Sequence, residues 1–416
     1  MERRAPLMSD SVANVAYNRR RSMRLEDDMT RLRVRAREHR GIALVVCAVV
    51  AGLAGPAAAQ TAAPVKKGTV ERIMVHGASL AGNLEGDSPA RDVFVYLPPS
   101  YATSRNQRYP VVYVLHGYGL TAERWMTFTN LAEAADKTIA AGTIKEMILV
   151  SPDAFTKHSG SMYSSSPTTG DWESYIAEDL VSYIDSHYRT IANRMSRGLG
   201  GHSMGGYGTI RIGMKRPDVF SSLDVMSACC LMQNAVPGQG NRGAAPQRGA
   251  APEGARAAAP PPDRSGEPAA AGRGERGRGA GAGQGRGRGG FGNVQAALAA
   301  AWSPNPKNPP DFFDMPVKDG EPQPLVIAKW AANSPLAMID QYVTNLKKYK
   351  AIMIEVGTAD GLAASNRQMD QILTDFGVAH TFETYEGDHT NRVVERIETK
   401  VLPFFSRSLS FNAPRR

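Results

Sequence analysis

The segment Gly201-His202-Ser203-Met204-Gly205 sets one hydroxyl between two glycines, each two residues away. A serine that attacks a substrate must stand on a tight turn where a strand hands over to a helix. A Cβ two residues away on either side of it would strike neighbouring backbone. Glycine at 201 and 205 removes both clashes. The same turn puts the amide of Met204 at a helix N-terminus, where it can donate to a developing oxyanion. A hydroxyl is a weak nucleophile at neutral pH, so a base must lie within hydrogen-bond reach, and an acid must fix the base's tautomer.

With the nucleophile first in the chain, the acid and then the histidine should follow. Two histidines lie beyond Ser203. His380 opens a strand-like run and reads as structural. His389 follows Glu386-Gly387-Asp388 directly after that run and is the expected base. Asp360 ends the run Val356-Gly357-Thr358-Ala359 and is the expected acid. Asp340, Glu355 and Asp388 are weaker candidates: the first falls on a helix, the second within a strand, the third beside His389. A second oxyanion donor is expected in the turn His116-Gly117-Tyr118-Gly119, with the Tyr118 amide as first choice and Gly119 as second. Trp172 and Asp153 are further candidates for contacting substrate, and the polar segment 155–169 for rimming the site.

These residues need a scaffold that delivers them to one edge. Val70–His76, Asp92–Leu97, Tyr109–Leu115, Glu146–Pro152, Phe220–Met226, Ala351–Val356 and His380–Tyr385 read as strands. Residues 194–201 read as the strand leading into Ser203. Helical patterns cover 122–135, 171–188, 207–214, 335–349, 363–376 and 392–409. Alternation of this kind predicts the α/β class, a mostly parallel central sheet with helices on both faces, and catalytic residues at the carboxyl ends of strands.

Not all 416 residues belong to that scaffold. Residues 41–54 form a short apolar run after five arginines and before Pro56-Ala57-Ala58-Ala59, the pattern of a signal peptide cleaved after Ala59. The run is shorter than the ~20 residues that span a bilayer. Its charged leader is long, and Met23 or Met29 would make a more ordinary start. Residues 234–292 are almost wholly Gly, Ala, Pro, Arg and Gln, a composition that predicts a disordered insertion. The expected division is therefore 1–59 signal peptide with an extended leader, 60–233 first part of the α/β domain, 234–292 insertion, and 293–416 second part.

The net charge of +9 follows the same division. Residues 1–59 hold 11 Arg against 6 acids, and residues 234–292 hold 9 Arg against 4. Each segment carries +5, so the remainder carries about −1, and the basic balance says nothing about the site. Nucleic acid is not expected as a partner, nor is a stable membrane anchor, and no oligomeric state is implied. Cys229 and Cys230 are neighbours and cannot staple distant segments. They read as small core residues, with a strained vicinal disulfide as the alternative. No zinc spacing or P-loop occurs, and neither metal nor organic cofactor is expected.

Six segments in order, VYLPPSY at 95–101, YPVVYVLHGYG at 109–119, DWESYIAEDLVSYIDSHYRT at 171–190, GHSMGGYG at 201–208, VGTADG at 356–361 and EGDH at 386–389, together resemble the esterase D / feruloyl esterase group of α/β-hydrolases. That group also includes S-formylglutathione hydrolases, acetylxylan esterases and mycolyltransferases. The resemblance covers about 70–228 and 330–405. It implies the α/β-hydrolase fold, a Ser203-His389-Asp360 triad and an oxyanion hole at Tyr118 and Met204. It also implies a serine esterase acting on a small-molecule or polysaccharide ester, with feruloyl or acetyl esters of plant polysaccharide as the expected substrates; the signal-peptide pattern adds that it is exported, periplasmic or secreted. Acyl transfer to a sugar or other alcohol is the alternative use of the same site. A non-catalytic role, binding a polymer through the Arg-Gly loop, is the alternative of another class.

Overall fold

The computed structural model describes residues 66–232 and 294–412. The signal peptide at 1–59 and the insertion at 234–292 lie outside the described residues. Eight strands form one sheet: β1 Thr69–His76, β2 Ala90–Leu97, β3 Val111–Leu115, β4 Ile148–Pro152, β5 Arg197–His202, β6 Ser222–Met226, β7 Ala351–Gly357 and β8 Thr381–Tyr385. Their spatial order is β1-β2-β4-β3-β5-β6-β7-β8. Only β2 runs against its neighbours; from β4 through β8 every pairing is parallel.

β3 shows why the sheet is covered twice. Its sequence VVYVL is apolar at every position, and every residue is buried. Val111, Tyr113 and Leu115 enter one core layer, and Val112 and Val114 enter the other. A strand buried on both faces loses the usual polar alternation. The first layer packs against residues 172–187, Met204–Lys215, Val294–Trp302, Pro324–Ala332 and Pro335–Leu346, through side chains such as Tyr175, Tyr207, Trp302, Trp330 and Ile339. The second packs against Ala122–Thr129, Leu131–Ala140 and residues 393–408, through Trp125, Leu131 and Phe405. The α/β-hydrolase architecture expected above is thus present.

Three details differ from the sequence reading. The helix expected over 122–135 is two helices, because Asn130 adopts the left-handed conformation (φ +47°) and turns the chain. The helix over 171–188 widens to a π-turn at Tyr175–Asp179. The helices Val294–Trp302 and Pro324–Ala332 were not anticipated, since their Ala-rich runs lack an amphipathic period.

Candidate active site

β5 delivers Ser203 in a strained backbone conformation, φ +59° and ψ −113°. L-residues with a Cβ rarely occupy that region. The glycines around it are demanded by contact. A Cβ at Gly205 would sit 2.1 Å from the Leu115 carbonyl oxygen, and one at Gly201 would sit 2.7 Å from the same atom. The helix beginning at Met204 can therefore lie directly against β3. Met204 is its first residue, so its amide has no intrahelical acceptor.

Asp360 follows β7 and His389 follows β8, and backbone bonds zip the two loops together. The Thr358 amide donates to the Tyr385 carbonyl at 2.8 Å, and the Ala359 amide to the Gly387 carbonyl at 2.9 Å. His389 Nδ1 lies 2.8 Å from Asp360 Oδ2, and His389 Nε2 lies 2.9 Å from Ser203 Oγ. The structure thus brings Ser203, His389 and Asp360 into one hydrogen-bonded line. Burial pushes the Asp360 carboxyl up, but the His389 ring, the Leu362 amide and the Ser227 hydroxyl outweigh it and hold it below its ordinary value. The carboxylate is charged at neutral pH and accepts the Nδ1 proton, which leaves Nε2 facing the hydroxyl as acceptor.

The rival acids are engaged elsewhere. Asp340 is exposed on its helix. Glu355 is buried against Arg396. Asp388 accepts the amides of Thr390 and Asn391 at 2.8 Å each and so shapes the loop that carries His389. His380 binds Asp370 at 2.9 Å and the Val378 carbonyl, a structural pairing.

The turn after β3 is held from below. Burial keeps the His116 ring neutral. Its Nδ1 donates to the Gly117 carbonyl at 2.9 Å, and its Nε2 accepts the Ala154 amide at 2.8 Å. The Tyr163 hydroxyl donates to the His116 carbonyl at 3.2 Å. The Gly119 amide is committed to the Ser159 carbonyl at 2.9 Å, which argues against Gly119 as an oxyanion donor.

Two substrate candidates are corrected. Trp172 is 1% exposed, its Nε1 donates to the Thr169 carbonyl, and the Arg91 guanidinium lies 5.2 Å over its ring. It is a core residue. Asp153 accepts from Arg91, the Phe155 amide and the Ala122 amide, so its carboxylate is spent on tying β4 to the first helix. Most of the segment 155–169 is buried and does not form an open rim. The space beside Ser203 and His389 is instead a cavity of about 550 Å³, walled by Tyr118, Leu120, Arg124, Thr127 and Phe128. Sequence reasoning missed this helix face, since nothing in its period distinguishes a cavity wall from a solvated one.

Residues 89–393 match the model of a family described as putative esterase. The chain is 30% identical over 145 residues to an endo-1,4-beta-xylanase/feruloyl esterase of Xylanibacter ruminicola, a stretch that is 34% of this chain and 20% of that protein. It is 34% identical over 135 residues to esterase Rv1288 of Mycobacterium tuberculosis, 31% of this chain and 27% of that one. The chain therefore covers about a fifth to a quarter of the length of these relatives. Among solved structures, a ferulic acid esterase superposes with a TM-score of 0.55 at 19% identity, covering 82% of this chain and 99% of that one. FphF, a fluorophosphonate-binding serine hydrolase of Staphylococcus aureus, superposes with a TM-score of 0.52 at 16% identity, covering 82% and 99%. Likeness at this identity speaks for the fold.

Proposed function

The chain belongs to the putative esterase family, and from that premise we propose that it is a serine carboxylic-ester hydrolase with Ser203 as nucleophile, His389 as base and Asp360 as the orienting acid. The observation that carries the proposal is the unbroken line Ser203 Oγ, His389 Nε2, His389 Nδ1, Asp360 Oδ2, with spacings of 2.9 and 2.8 Å, opening onto the cavity. Ser203 attacks the ester carbonyl while His389 Nε2 takes its proton. The amides of Met204 and Tyr118 stabilise the tetrahedral oxyanion. His389 returns the proton to the departing alcohol, and an acyl group remains on Ser203. Water then enters, gives a proton to His389 as its oxygen attacks the acyl carbon, and His389 passes that proton to Ser203 Oγ as the acyl–oxygen bond breaks and the acid leaves. Asp360 stays ionised throughout and stabilises the imidazolium.

The cavity suits an aryl acyl group, because Leu120 and Phe128 present apolar surface beside the nucleophile. With the feruloyl esterase among the relatives, this supports feruloyl esters of plant polysaccharide over acetyl esters as the substrate. The Ala-rich boundary at 56–59 supports export of residues 60–416, with 60–233 and 293–416 forming one hydrolase domain around the 234–292 insertion.

The test is hydrolysis of nitrophenyl acetate, methyl ferulate and acetylated xylan by residues 60–416, beside Ser203→Ala. Activity on methyl ferulate that falls about a million-fold in the variant supports the reading. Equal rates in both proteins would sink the nucleophile assignment, and turnover only with an added alcohol acceptor would move the reaction to acyl transfer.

A further inference from the structure

Two thiols stand beside the nucleophile, and the hydrolytic cycle uses neither. Cys229 and Cys230 follow β6, with Sγ atoms 2.8 Å apart. Both are unpaired and partly exposed. The Cys229 amide donates to the Ser203 carbonyl at 3.1 Å. The neighbouring backbone is tied down tightly. The Ser203 amide donates to the Met226 carbonyl at 3.0 Å, and the Ser227 amide to the Glu355 carbonyl at 2.7 Å. Asn366 grips Ala228 at both its amide and its carbonyl, at 3.2 and 3.0 Å. Ser203, Ser227 and Cys230 all hold positive φ, at 59°, 45° and 59°. The dithiol and the nucleophile therefore share one strained, hydrogen-bonded stretch of backbone, so a twist of the backbone at 229–230 is passed to Ser203, whereas trimming the Cys230 side chain leaves those bonds in place.

We propose that Cys229 and Cys230 form a reversible oxidation site, and that an internal disulfide between them switches Ser203 off. The inference rests on Ser203 being the nucleophile. The Cys230 thiolate attacks one sulfur of a low-molecular-weight disulfide and expels a thiol. Cys229 then displaces the second thiol from the mixed disulfide. One S–S bond breaks and one forms, and the two protein thiol protons end on the two released thiols. Adjacency makes the product labile. Neighbouring Cα atoms lie about 3.8 Å apart across a trans peptide, whereas relaxed disulfides span about 4.4–6.8 Å. Closing the ring must twist the backbone at 229–230, next to the amide that holds the Ser203 carbonyl. Strain of that kind favours ready reduction, which reversible control requires. Cys230 attacks first, because its neighbour and burial push the Cys229 thiol well above its ordinary range; in the second step Cys229 gives its proton to the departing thiolate as it displaces it.

The test uses the full chain with Cys47→Ala, so that only this pair can react. The reduced protein is assayed on nitrophenyl acetate, treated with oxidised glutathione, assayed again, and then reduced again. The proposal expects the peptide carrying both cysteines to lose the mass of two hydrogens while activity falls roughly 100-fold, the scale of a small misplacement at a site. Reductant should restore both. Adding Cys230→Ala should keep the reduced activity and abolish both the link and the loss. A link that forms without loss of activity would overturn the switch. So would the absence of any link at oxidant levels the folded protein survives, or an equal loss in the Cys230→Ala protein. An inactive reduced enzyme would instead overturn the Ser203 reading, and the two failures are thereby told apart.

Discussion

The side chain of His202 donates from Nε2 to the backbone carbonyl of His389 at 2.8 Å. The residue before Ser203 thus anchors the loop that carries His389. Its ring lies parallel to Trp125, with centroids 6.0 Å apart and planes 11° off, and tilts over the His389 ring at 4.6 Å. Trp125 comes from the first helix, His202 from the end of β5 and His389 from beyond β8. Three distant segments meet in one stack beside the Ser203–His389 pair.

Removing this anchor should loosen the base without emptying the cavity. His202→Ala is expected to lower kcat roughly 10- to 100-fold, the scale of a sub-ångström to ångström misplacement. KM should change little. His202→Gln can still donate from its amide and should recover part of the loss. Steady-state kinetics on one aryl ester would check this. A KM effect with unchanged kcat would show that His202 shapes binding instead.

The same residue predicts a pH dependence of stability. Burial, with a further push from His389, drives the His202 pKa from 6.5 to about 3. Below its ordinary value the unfolded chain binds a proton that the folded chain refuses. Stability from neutral His202 is therefore complete above about pH 6.5 and drains away as the pH falls towards 3. His202→Gln has nothing to protonate. Its melting temperature, followed across that window, should fall less steeply than that of the wild type.

Asp360 and Glu355 are rival acids in the sequence, and their different partners, His389 and Arg396, predict different losses, one in kinetics and one in stability. Asp360→Asn keeps the shape but loses the charge that holds the His389 tautomer. It is expected to cost about 10⁴ in kcat with little change in melting temperature. Glu355 is fully buried and bound to Arg396, whose guanidinium also reaches Glu383 at 2.8 Å. Glu355→Gln leaves that arginine with Glu383 as its charge partner and weakens one buried charged hydrogen bond, which should cost about 1–3 kcal/mol. The folded fraction should retain its kcat. Urea melts beside kinetics distinguish the two, and the reverse pattern would reassign the acid.

Much of this was legible because it is local. The run Tyr109–Leu115 is apolar throughout, and its register as a buried parallel strand follows from that alone. Gly201 and Gly205 announce the turn because only their side-chain-free backbones fit under Leu115. Asp360 and His389 were readable as strand-end residues in the right order. What stayed hidden is set by contacts between distant segments. Trp172 looked like a pocket residue, and only the packing of Arg91 and Thr169 around it shows a core position. Asp153 carries a free-looking carboxylate until Arg91 and two amides claim it. The commitment of the Gly119 amide to Ser159, 40 residues on, likewise leaves no trace in the local sequence.

Gly205 offers a test of the turn that is independent of any substrate. Its missing Cβ is what lets the helix start lie on the Leu115 carbonyl. Gly205→Ala places a carbon 2.1 Å from a backbone oxygen that β3 cannot move without breaking its pairing with β5. Overpacking against backbone should cost about 3 kcal/mol or more. A lowered urea midpoint and poor recovery of folded protein are expected. A wild-type midpoint would mean that the turn can open, and that the strain at Ser203 is weaker than its φ implies.

Phe128 tests the acyl preference. It is exposed on the first helix, its ring centroid stands 6.1 Å from that of Trp125, and it lines the cavity that Ser203 also lines. An aryl acyl group lying there would cover it, whereas an acetyl group has no ring to lay against it. Losing an apolar contact of this kind is worth about 1–3 kcal/mol of discrimination, or about 10- to 200-fold. Phe128→Ala should therefore lower kcat/KM for methyl ferulate by roughly tenfold or more and leave nitrophenyl acetate within about twofold. The ratio between the two esters is the measurement that matters, because a general loss of stability would lower both. Equal losses would place the acyl group elsewhere and remove the structural argument for an aromatic substrate. A loss confined to the aryl ester would fix Phe128 as the specificity-determining wall of the cavity.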